Sequence, residues 1–330
     1  MTIDMHTHVV PIGLADMTGR QDAQRYPVLG NRAGGKAEVL VGGVNIRPVT
    51  SVCWDVDARL RAMAESGVTR QVISPMPALL TYWAQPKDAQ YYADSLNDAV
   101  AAMATEAPGK LVPFGSLPLQ DPSAAVDAVP RLVALGMRGV EIGSNIDGRP
   151  IGDPAFFDVF RALADAGLAV FVHSTTPDTQ RLVGVPVLDN VVGFPSDVGL
   201  AAASVITGGL LDAVPRLRIA FSHGGGTLGS LLPRIMMGRR VFGAEALRMP
   251  SDPAAVARSL WFDTLVYDGR TLRYLMEMFG ADRFMVGSDF PFVVMEDPPG
   301  TVLGSPELAG TDEQALRYTN ARRLLGEVSD

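Results

Sequence analysis

The chain has 330 residues, of which 47% are apolar and 19% charged, a composition typical of a globular protein with one large domain or two medium ones. The net charge of −8 argues against a nucleic-acid partner, because phosphate backbones attract positive surfaces. Cys53 is the single cysteine, which excludes an internal disulfide. The N-terminus does not resemble a leader, and no apolar run approaches the roughly 20 residues of a membrane span. We therefore expect a cytoplasmic protein without a membrane partner.

Eight short runs of apolar, β-branched or aromatic residues predict β-strands. Between them lie segments with helical spacing, several of which begin at an aspartate that is suited to cap a helix. Asp55, for example, predicts a helix with Val56, Leu60 and Met63 on one face. The predicted strands are residues 2–9, 70–75, 110–117, 137–143, 168–174, 217–223, 260–265 and 283–289.

This alternation predicts an α/β fold, a (β/α)8 barrel, with an open doubly wound sheet as the alternative. Residues 11–50 are Gly-rich and too long for a loop between a strand and a helix, so they predict a small β insertion or lid after the first strand. No linker divides the sequence. Residues 1–330 are therefore expected to form one domain.

The chain contains four histidines, His6, His8, His173 and His223, and each lies at the C-terminal end of a predicted strand. Asp289 ends the eighth strand in the same way. In a barrel these ends share one face, and side chains two apart on a strand point the same way. A buried, hydrogen-bonded His-x-His pair is the alternative, but the position of all four histidines favours a divalent metal centre, because imidazoles and a carboxylate suit Zn²⁺, Mn²⁺ or Co²⁺.

One metal ion is predicted rather than two, with zinc favoured and no organic cofactor. Two-metal barrel hydrolases usually bridge their metals with a carboxylated lysine near the fourth strand, and no lysine follows Lys110. The fourth strand carries Glu141 instead. Glu141 is interpreted as a buried structural partner, with an acid, base or bridging role as the alternative.

Four motifs in chain order make the sequence resemble the decarboxylase branch of the amidohydrolase superfamily, which includes carboxymuconate-semialdehyde and γ-resorcylate decarboxylases. The motifs are "DMHTH", "VFVHS", "FSHGGGTLGSLLPRI" and "GSDFPF", and the resemblance spans nearly the whole chain. It implies a barrel in which His6, His8, His173 and Asp289 bind the metal ion.

The resemblance also implies roles outside the metal site. His223 matches a histidine that shuttles the proton of a metal-bound water, and Asp289 is a second candidate proton carrier. Arg47 matches an arginine that binds the substrate carboxylate, although by itself it would be interpreted as a surface residue. Arg234 matches an arginine that enters the site of a neighbouring subunit, which implies a homodimer. Phe290 either lines the substrate pocket or packs in the core.

The predicted function is the metal-dependent, non-oxidative decarboxylation of a small unsaturated or aromatic carboxylic acid. Loss of CO₂ from an sp² carbon requires that carbon to be protonated or saturated, and imidazole moves protons near neutral pH. A hydrolase or hydratase acting on a lactone, amide or enol acid on the same scaffold is the alternative. A barrel that has lost catalysis is disfavoured because no predicted ligand position is missing.

Overall fold

The eight apolar runs contribute buried parallel strands to the computed structural model, which describes residues 1–175, 177, 187–247 and 249–328. Their burial is expected where helices cover one side of a parallel sheet and side chains fill the other. The strands are β1 (Ile3–Asp4), β2 (His8–Val9), β3 (Val28–Ala33), β4 (Lys36–Val41), β5 (Val44–Thr50), β6 (Arg70–Pro75), β7 (Leu111–Gly115), β8 (Gly139–Gly143), β9 (Asn145–Ile146), β10 (Arg149–Pro150), β11 (Ala169–His173), β12 (Ile219–Phe221), β13 (Trp261–Asp263) and β14 (Phe284–Met285). The helices are α1 (Val56–Glu65), α2 (Pro86–Glu106), α3 (Pro122–Ala134), α4 (Phe157–Asp165), α5 (Phe194–Gly208), α6 (Leu210–Ala213), α7 (Leu228–Phe242), α8 (Pro253–Ala257), α9 (Gly269–Phe279) and α10 (Asn320–Leu324).

The barrel strands follow the chain in spatial order. Neighbours pair in the sequence β1, β6, β7, β8, β11, β12, β13 and β14, and each pair is parallel. The last strand returns to the first through main-chain bonds from Met5 N to Val286 O and from Asp289 N to His6 O, both at 2.9 Å. An open sheet leaves two edges unpaired. The (β/α)8 prediction is therefore confirmed.

The first and last barrel strands are shorter than predicted. Residues 2–9 form two short strands, β1 and β2, separated by an irregular segment that contains His6. The predicted strand 283–289 is reduced to β14, and Asp289 takes a left-handed backbone conformation with φ of 64°. A strand does not accommodate that conformation, so the chain leaves the ladder before Asp289.

The β insertion predicted after the first strand is present. Within residues 11–50, strands β3, β4 and β5 form a separate antiparallel sheet in which β4 lies between the other two. Arg47, on β5, extends from this sheet toward the barrel end that carries the histidines. The lid function and the single-domain organisation stay predictions.

Helix α1 begins at Asp55 as predicted, but its buried face differs. Val56, Arg59 and Met63 are buried, whereas Leu60 is only half-buried. A buried arginine requires several acceptors to replace its lost water. The face of α1 that contacts the barrel is therefore partly polar.

The helical segment Asp189–Gly208 is long and apolar enough to cross a membrane, with a mean hydropathy of 1.4. This differs from the expectation that no apolar run approaches that length. Core helices of soluble proteins satisfy the same criterion, and this segment ends in α5, which packs against α7 and β11. The segment is therefore only weak evidence for a membrane span.

Candidate active site

Four side chains from three regions of the barrel wall meet at the C-terminal end of the strands. His6 lies between β1 and β2, His8 begins β2, His173 ends β11 and Asp289 follows β14. One ligand atom from each lies within 4.8 Å of the others, and all four residues are buried. The structure thus brings together the four residues predicted to bind a metal ion, including the His-x-His pair, whose Nε2 atoms are 3.2 Å apart.

The unpaired atoms of this cluster indicate that a metal ion fits. Among the residues that the structure describes, His173 Nε2 and Asp289 Oδ1 are buried without a hydrogen-bond partner, which costs about 1–3 kcal/mol for each such group. Burial lowers the pKa of His6 and of His8 to about 3, so both rings are neutral at neutral pH. Neutral imidazoles and a carboxylate form a donor set for one divalent cation.

Asp263, the last residue of β13, organises the site and was missed by the sequence analysis. Its Oδ2 atom lies 2.7 Å from His6 Nδ1 and accepts a 3.0 Å hydrogen bond from the backbone N–H of His223. The partner on Nδ1 leaves His6 Nε2 available to a metal ion. The available signal was a carboxylate within an otherwise largely apolar run, because the predicted strand 260–265 continues beyond Asp263 whereas the observed strand ends there.

A close approach between strands depends on Gly287. A Cβ atom at this position would lie 2.7 Å from Cβ of both His6 and Asp263, closer than real Cβ contacts. Any larger residue would push apart the two side chains that form the hydrogen bond described above. Gly287 is therefore required by packing. The "GSD" motif contributes its glycine to the site as well as its aspartate.

His223 lies beside the metal-binding cluster, with its ring centroid 5.4 Å from that of His6 and 5.2 Å from that of His173. Its backbone is left-handed, with φ of 54°, a conformation that concentrates at functional sites in residues other than glycine. Burial lowers the pKa of His223 to about 3, and His173 acts in the same direction. The ring is therefore neutral at neutral pH.

A cavity of about 600 Å³ opens next to His223 and Asp289. Its volume suits a small organic molecule, and its walls are mainly apolar. His223 and Asp289 contribute polar atoms to this lining. The apolar walls include Val191, Phe194, Leu265, Val266, Val293 and Met295.

Arg47 approaches the cluster from the β insertion. Its guanidinium carbon lies 4.7 Å from the ring centroid of Phe292, and that ring stacks on His8 at 5.2 Å. Phe290, by contrast, has its ring 5.1 Å from the guanidinium of Arg59. The substrate-binding roles predicted for Arg47 and Phe290 stay predictions.

Arg59 is the second residue that the sequence analysis missed. Its fully buried guanidinium donates to His8 O at 3.0 Å, Thr7 Oγ1 at 2.6 Å and Gln71 Oε1 at 2.8 Å. These bonds hold the irregular segment between β1 and β2, which contains His6, and the first residue of β2, which is His8. An arginine on the apolar face of a predicted helix was the available signal.

Arg234 lies on the exposed side of α7, away from the cavity of its own chain. Met236 and Met237, which follow it, are 41% and 54% exposed. The structure therefore does not bring Arg234 to the other predicted site residues within one chain. Its role in a neighbouring subunit stays a prediction.

Comparison with known proteins agrees with this site. The family model described as Amidohydrolase (Amidohydro_2) matches residues 3–326. The chain is 32% identical, over 99% of its length and 92% of the relative's, to 2-amino-3-carboxymuconate-6-semialdehyde decarboxylase of Dictyostelium discoideum. Its structure resembles that of apo IDCase from Metarhizium anisopliae, with a TM-score of 0.80, 24% identity and coverage of 99% and 97% of the two chains. It also resembles 5-carboxyvanillate decarboxylase of Novosphingobium aromaticivorans complexed with manganese and 4-hydroxy-3-methoxy-5-nitrobenzoic acid, with a TM-score of 0.75, 18% identity and coverage of 99% and 96%.

Proposed function

Since this chain belongs to the amidohydrolase family, we propose that it is a metal-dependent, non-oxidative decarboxylase of a small unsaturated or aromatic carboxylic acid. The observation that carries the proposal is the buried cluster of His6, His8, His173 and Asp289 beside a cavity of small-molecule size. The decarboxylase from Dictyostelium discoideum, which is similar over nearly the whole chain, supports the same reaction class.

The proposed cofactor is one divalent metal ion held by His6, His8, His173 and Asp289, without an organic cofactor. Zinc is favoured because three imidazoles and a carboxylate suit it, with manganese or cobalt as alternatives. When bound, the ion supplies Lewis acidity, which polarises substrate oxygens. Manganese accompanies the bound ligand in the structure of 5-carboxyvanillate decarboxylase.

His223 is the proposed proton carrier. Decarboxylation of an sp² carbon replaces its C–C bond with a C–H bond, so the site must deliver one proton while the carboxyl group leaves as CO₂. His223 lines the cavity, and an imidazole is a side chain suited to take up and return a proton there. Asp289 is the second candidate carrier, since it also lines the cavity.

Arg47 is proposed to bind the substrate carboxylate. Its planar guanidinium forms two parallel charge-assisted hydrogen bonds with a carboxylate, and Phe292 supports it from below. Phe290 is proposed to shape the substrate wall through the turn that it shares with Phe292. The insertion that carries Arg47 would then act as one side of the substrate site.

Arg234 is proposed to serve the site of a neighbouring copy, so that a homodimer is the working unit. Its exposure on α7, beside the exposed apolar side chains of Met237 and Phe242, supports this assignment. The remaining proposed partner is the carboxylic acid itself, without nucleic acid or membrane. The proposed location is the cytoplasm.

The test measures CO₂ release by the metal-loaded protein from a panel of carboxymuconate semialdehydes and hydroxybenzoates. Release from at least one acid is expected, and His223→Asn should lower it by about 10²–10⁴-fold without loss of bound metal. Turnover of a lactone, amide or enol acid without CO₂ would contradict the proposal and identify a hydrolase or hydratase.

A further inference from the structure

Glu141 and His8 form a pair of unsatisfied groups in the barrel interior. Glu141, on β8, is fully buried, and among the described residues neither carboxylate oxygen has a well-formed hydrogen bond, although the nearby Ser74 hydroxyl acts to lower its pKa. In the same part of the chain His8 Nδ1, the ring nitrogen that faces away from the metal-binding cluster, is also buried without a well-formed hydrogen bond, and the backbone carbonyl of Pro75 lies beside the ring. The closest of these atoms, His8 Nδ1 and Glu141 Oε2, are 3.6 Å apart. One N–H···O bond of about 3 Å would satisfy both groups after a shift of about half an ångström.

The other two histidines of the cluster already have the partner that His8 lacks. His6 Nδ1 lies 2.7 Å from Asp263 Oδ2, and His173 Nδ1 lies 2.7 Å from the carbonyl oxygen of Ser174. In both rings an acceptor binds the Nδ1 side and leaves Nε2 without a proton. A metal ion binds a nitrogen lone pair, so an outer acceptor fixes the tautomer that the metal needs.

Packing restricts rotation of the His8 ring. Phe292 stacks on it at 5.2 Å with an interplanar angle of 23°, and the rings of His6 and His173 contact it edge-on at 5.1 and 5.0 Å. The His8 Nδ1 atom is consequently held toward β8. Glu141 is the carboxylate at that position.

Glu141 acts through His8 rather than on the metal ion. The set of donor atoms close enough to share one ion consists of His6, His8, His173 and Asp289 within the described residues, and Glu141 is not a member. A bridging role, which the sequence left open, would require it to be one.

We propose that Glu141 is a positioning residue that accepts a hydrogen bond from His8 Nδ1–H and thereby presents His8 Nε2 to the metal ion. The inference rests on the part of the proposed function that assigns a metal ion to the cluster. It does not depend on which acid is the substrate, or on decarboxylation.

The first experiment measures Zn²⁺ affinity of the purified full chain by competition with a chelator. Glu141→Leu should weaken binding about 10–100-fold, because it removes the acceptor, and Glu141→Gln should restore part of the loss through its amide oxygen. Asn97→Leu is the matched control: Asn97 is also buried, bonds to the backbone of Ser116, and should lose stability without losing Zn²⁺ affinity.

The second experiment reads the tautomer directly. The chain has four histidines, so ¹⁵N-histidine labelling gives few imidazole signals, and a His8 variant assigns them. In the Zn²⁺-loaded protein His8 Nδ1 should carry a slowly exchanging proton, and in Glu141→Leu that proton should exchange much faster. Wild-type affinity and exchange in Glu141→Leu would overturn the proposal, as would coordination of Zn²⁺ through His8 Nδ1.

Different results would contradict the proposed function and the proposed role of Glu141. Wild-type protein that binds Zn²⁺ but releases no CO₂ from any acid contradicts the proposed function, while the affinity loss in Glu141→Leu still supports the role of Glu141. A wild-type protein that binds neither Zn²⁺ nor Mn²⁺ overturns the proposal for Glu141.

Discussion

The two ends of the barrel interior differ in how completely their groups are satisfied. Toward the N-terminal ends of the strands, the interior is an apolar cluster with few polar groups to satisfy, and beside it Arg70 forms a two-bond contact with Glu327 at 2.7 and 2.8 Å. At the C-terminal end, His173 Nε2, Asp289 Oδ1 and both oxygens of Glu141 are buried without a well-formed hydrogen bond in the described part of the chain. The apolar cluster contains Ile3, Met5, Val72, Val112, Phe114, Ala169, Phe171, Ala220, Trp261 and Met285.

This difference separates stability from function within one set of strands. Phe171 lies on the boundary, since it belongs to the apolar cluster and its ring is 5.0 Å from that of His6. On the N-terminal side of Phe171, packing stabilises the fold. On its C-terminal side, unpaired groups remain available to a ligand. Substitutions at the two ends should therefore change different measured quantities.

The largest effect is expected from Asp289→Asn at the C-terminal end. Asparagine tolerates the left-handed backbone at this position but is a weaker metal ligand than a carboxylate. Turnover should fall by roughly 10³-fold or more because several kcal/mol of Lewis-acid stabilisation are lost. Removal of metal with a chelator should have the same effect on the wild type, whereas the free energy of unfolding of the metal-free variant should change by less than about 1 kcal/mol. Full metal content and activity in this variant would contradict the assignment of function to the C-terminal end of the barrel.

Phe114→Ala tests the opposite end. Phe114 is fully buried in the apolar cluster, so the lost contacts and the resulting cavity should lower the free energy of unfolding by about 3–5 kcal/mol. Urea unfolding of metal-free protein measures this change. Zn²⁺ affinity per folded molecule should remain at the wild-type value, and a tenfold loss would mean that the two ends are coupled.

Arg47→Gln tests whether the insertion belongs to the functional end. Loss of a charge-assisted contact with the substrate carboxylate should raise KM by about 10–100-fold, equivalent to about 1.5–3 kcal/mol. Steady-state kinetics on the best acid of the panel give the measurement. Arg32→Gln is the control, since Arg32 is an exposed arginine on β3 of the same insertion. Equal effects of both substitutions would indicate bulk charge rather than a specific contact.

Glu327→Gln should have the smallest effect. Hydrogen bonds from Arg70 hold the pKa of Glu327 below its usual value of 4.5, so the folded state favours the ionised carboxylate. The unfolded chain binds the proton more readily, and the stabilisation is therefore present above pH 4.5 and lost as the pH falls through the lower folded-state pKa. At pH 7 the variant should be less stable by under about 1 kcal/mol, because the pair is partly exposed. Unfolding titrations from pH 7 to 3 should show this difference shrinking; a difference that grows toward low pH would contradict the assignment.

The sequence alone determined the barrel and the members of the metal-binding cluster. Strand burial and helix capping are local properties, and His6, His8, His173 and Asp289 were recognisable because each follows an apolar run at the same relative position. The order of the four motifs along the chain identified the resemblance to the amidohydrolase superfamily. The limits of the first and last strands were predicted less well, because they depend on how the barrel closes.

Only the tertiary structure decided which groups support that cluster. Asp263 meets His6 across 257 residues, and Glu141 approaches His8 across the barrel interior. Arg59 lies on the buried face of its helix because the acceptors for its guanidinium come from β2, β6 and the segment before β2. These contacts depend on strand register and barrel closure, which bring distant residues together, whereas periodicity along the chain specifies only the face on which each residue lies.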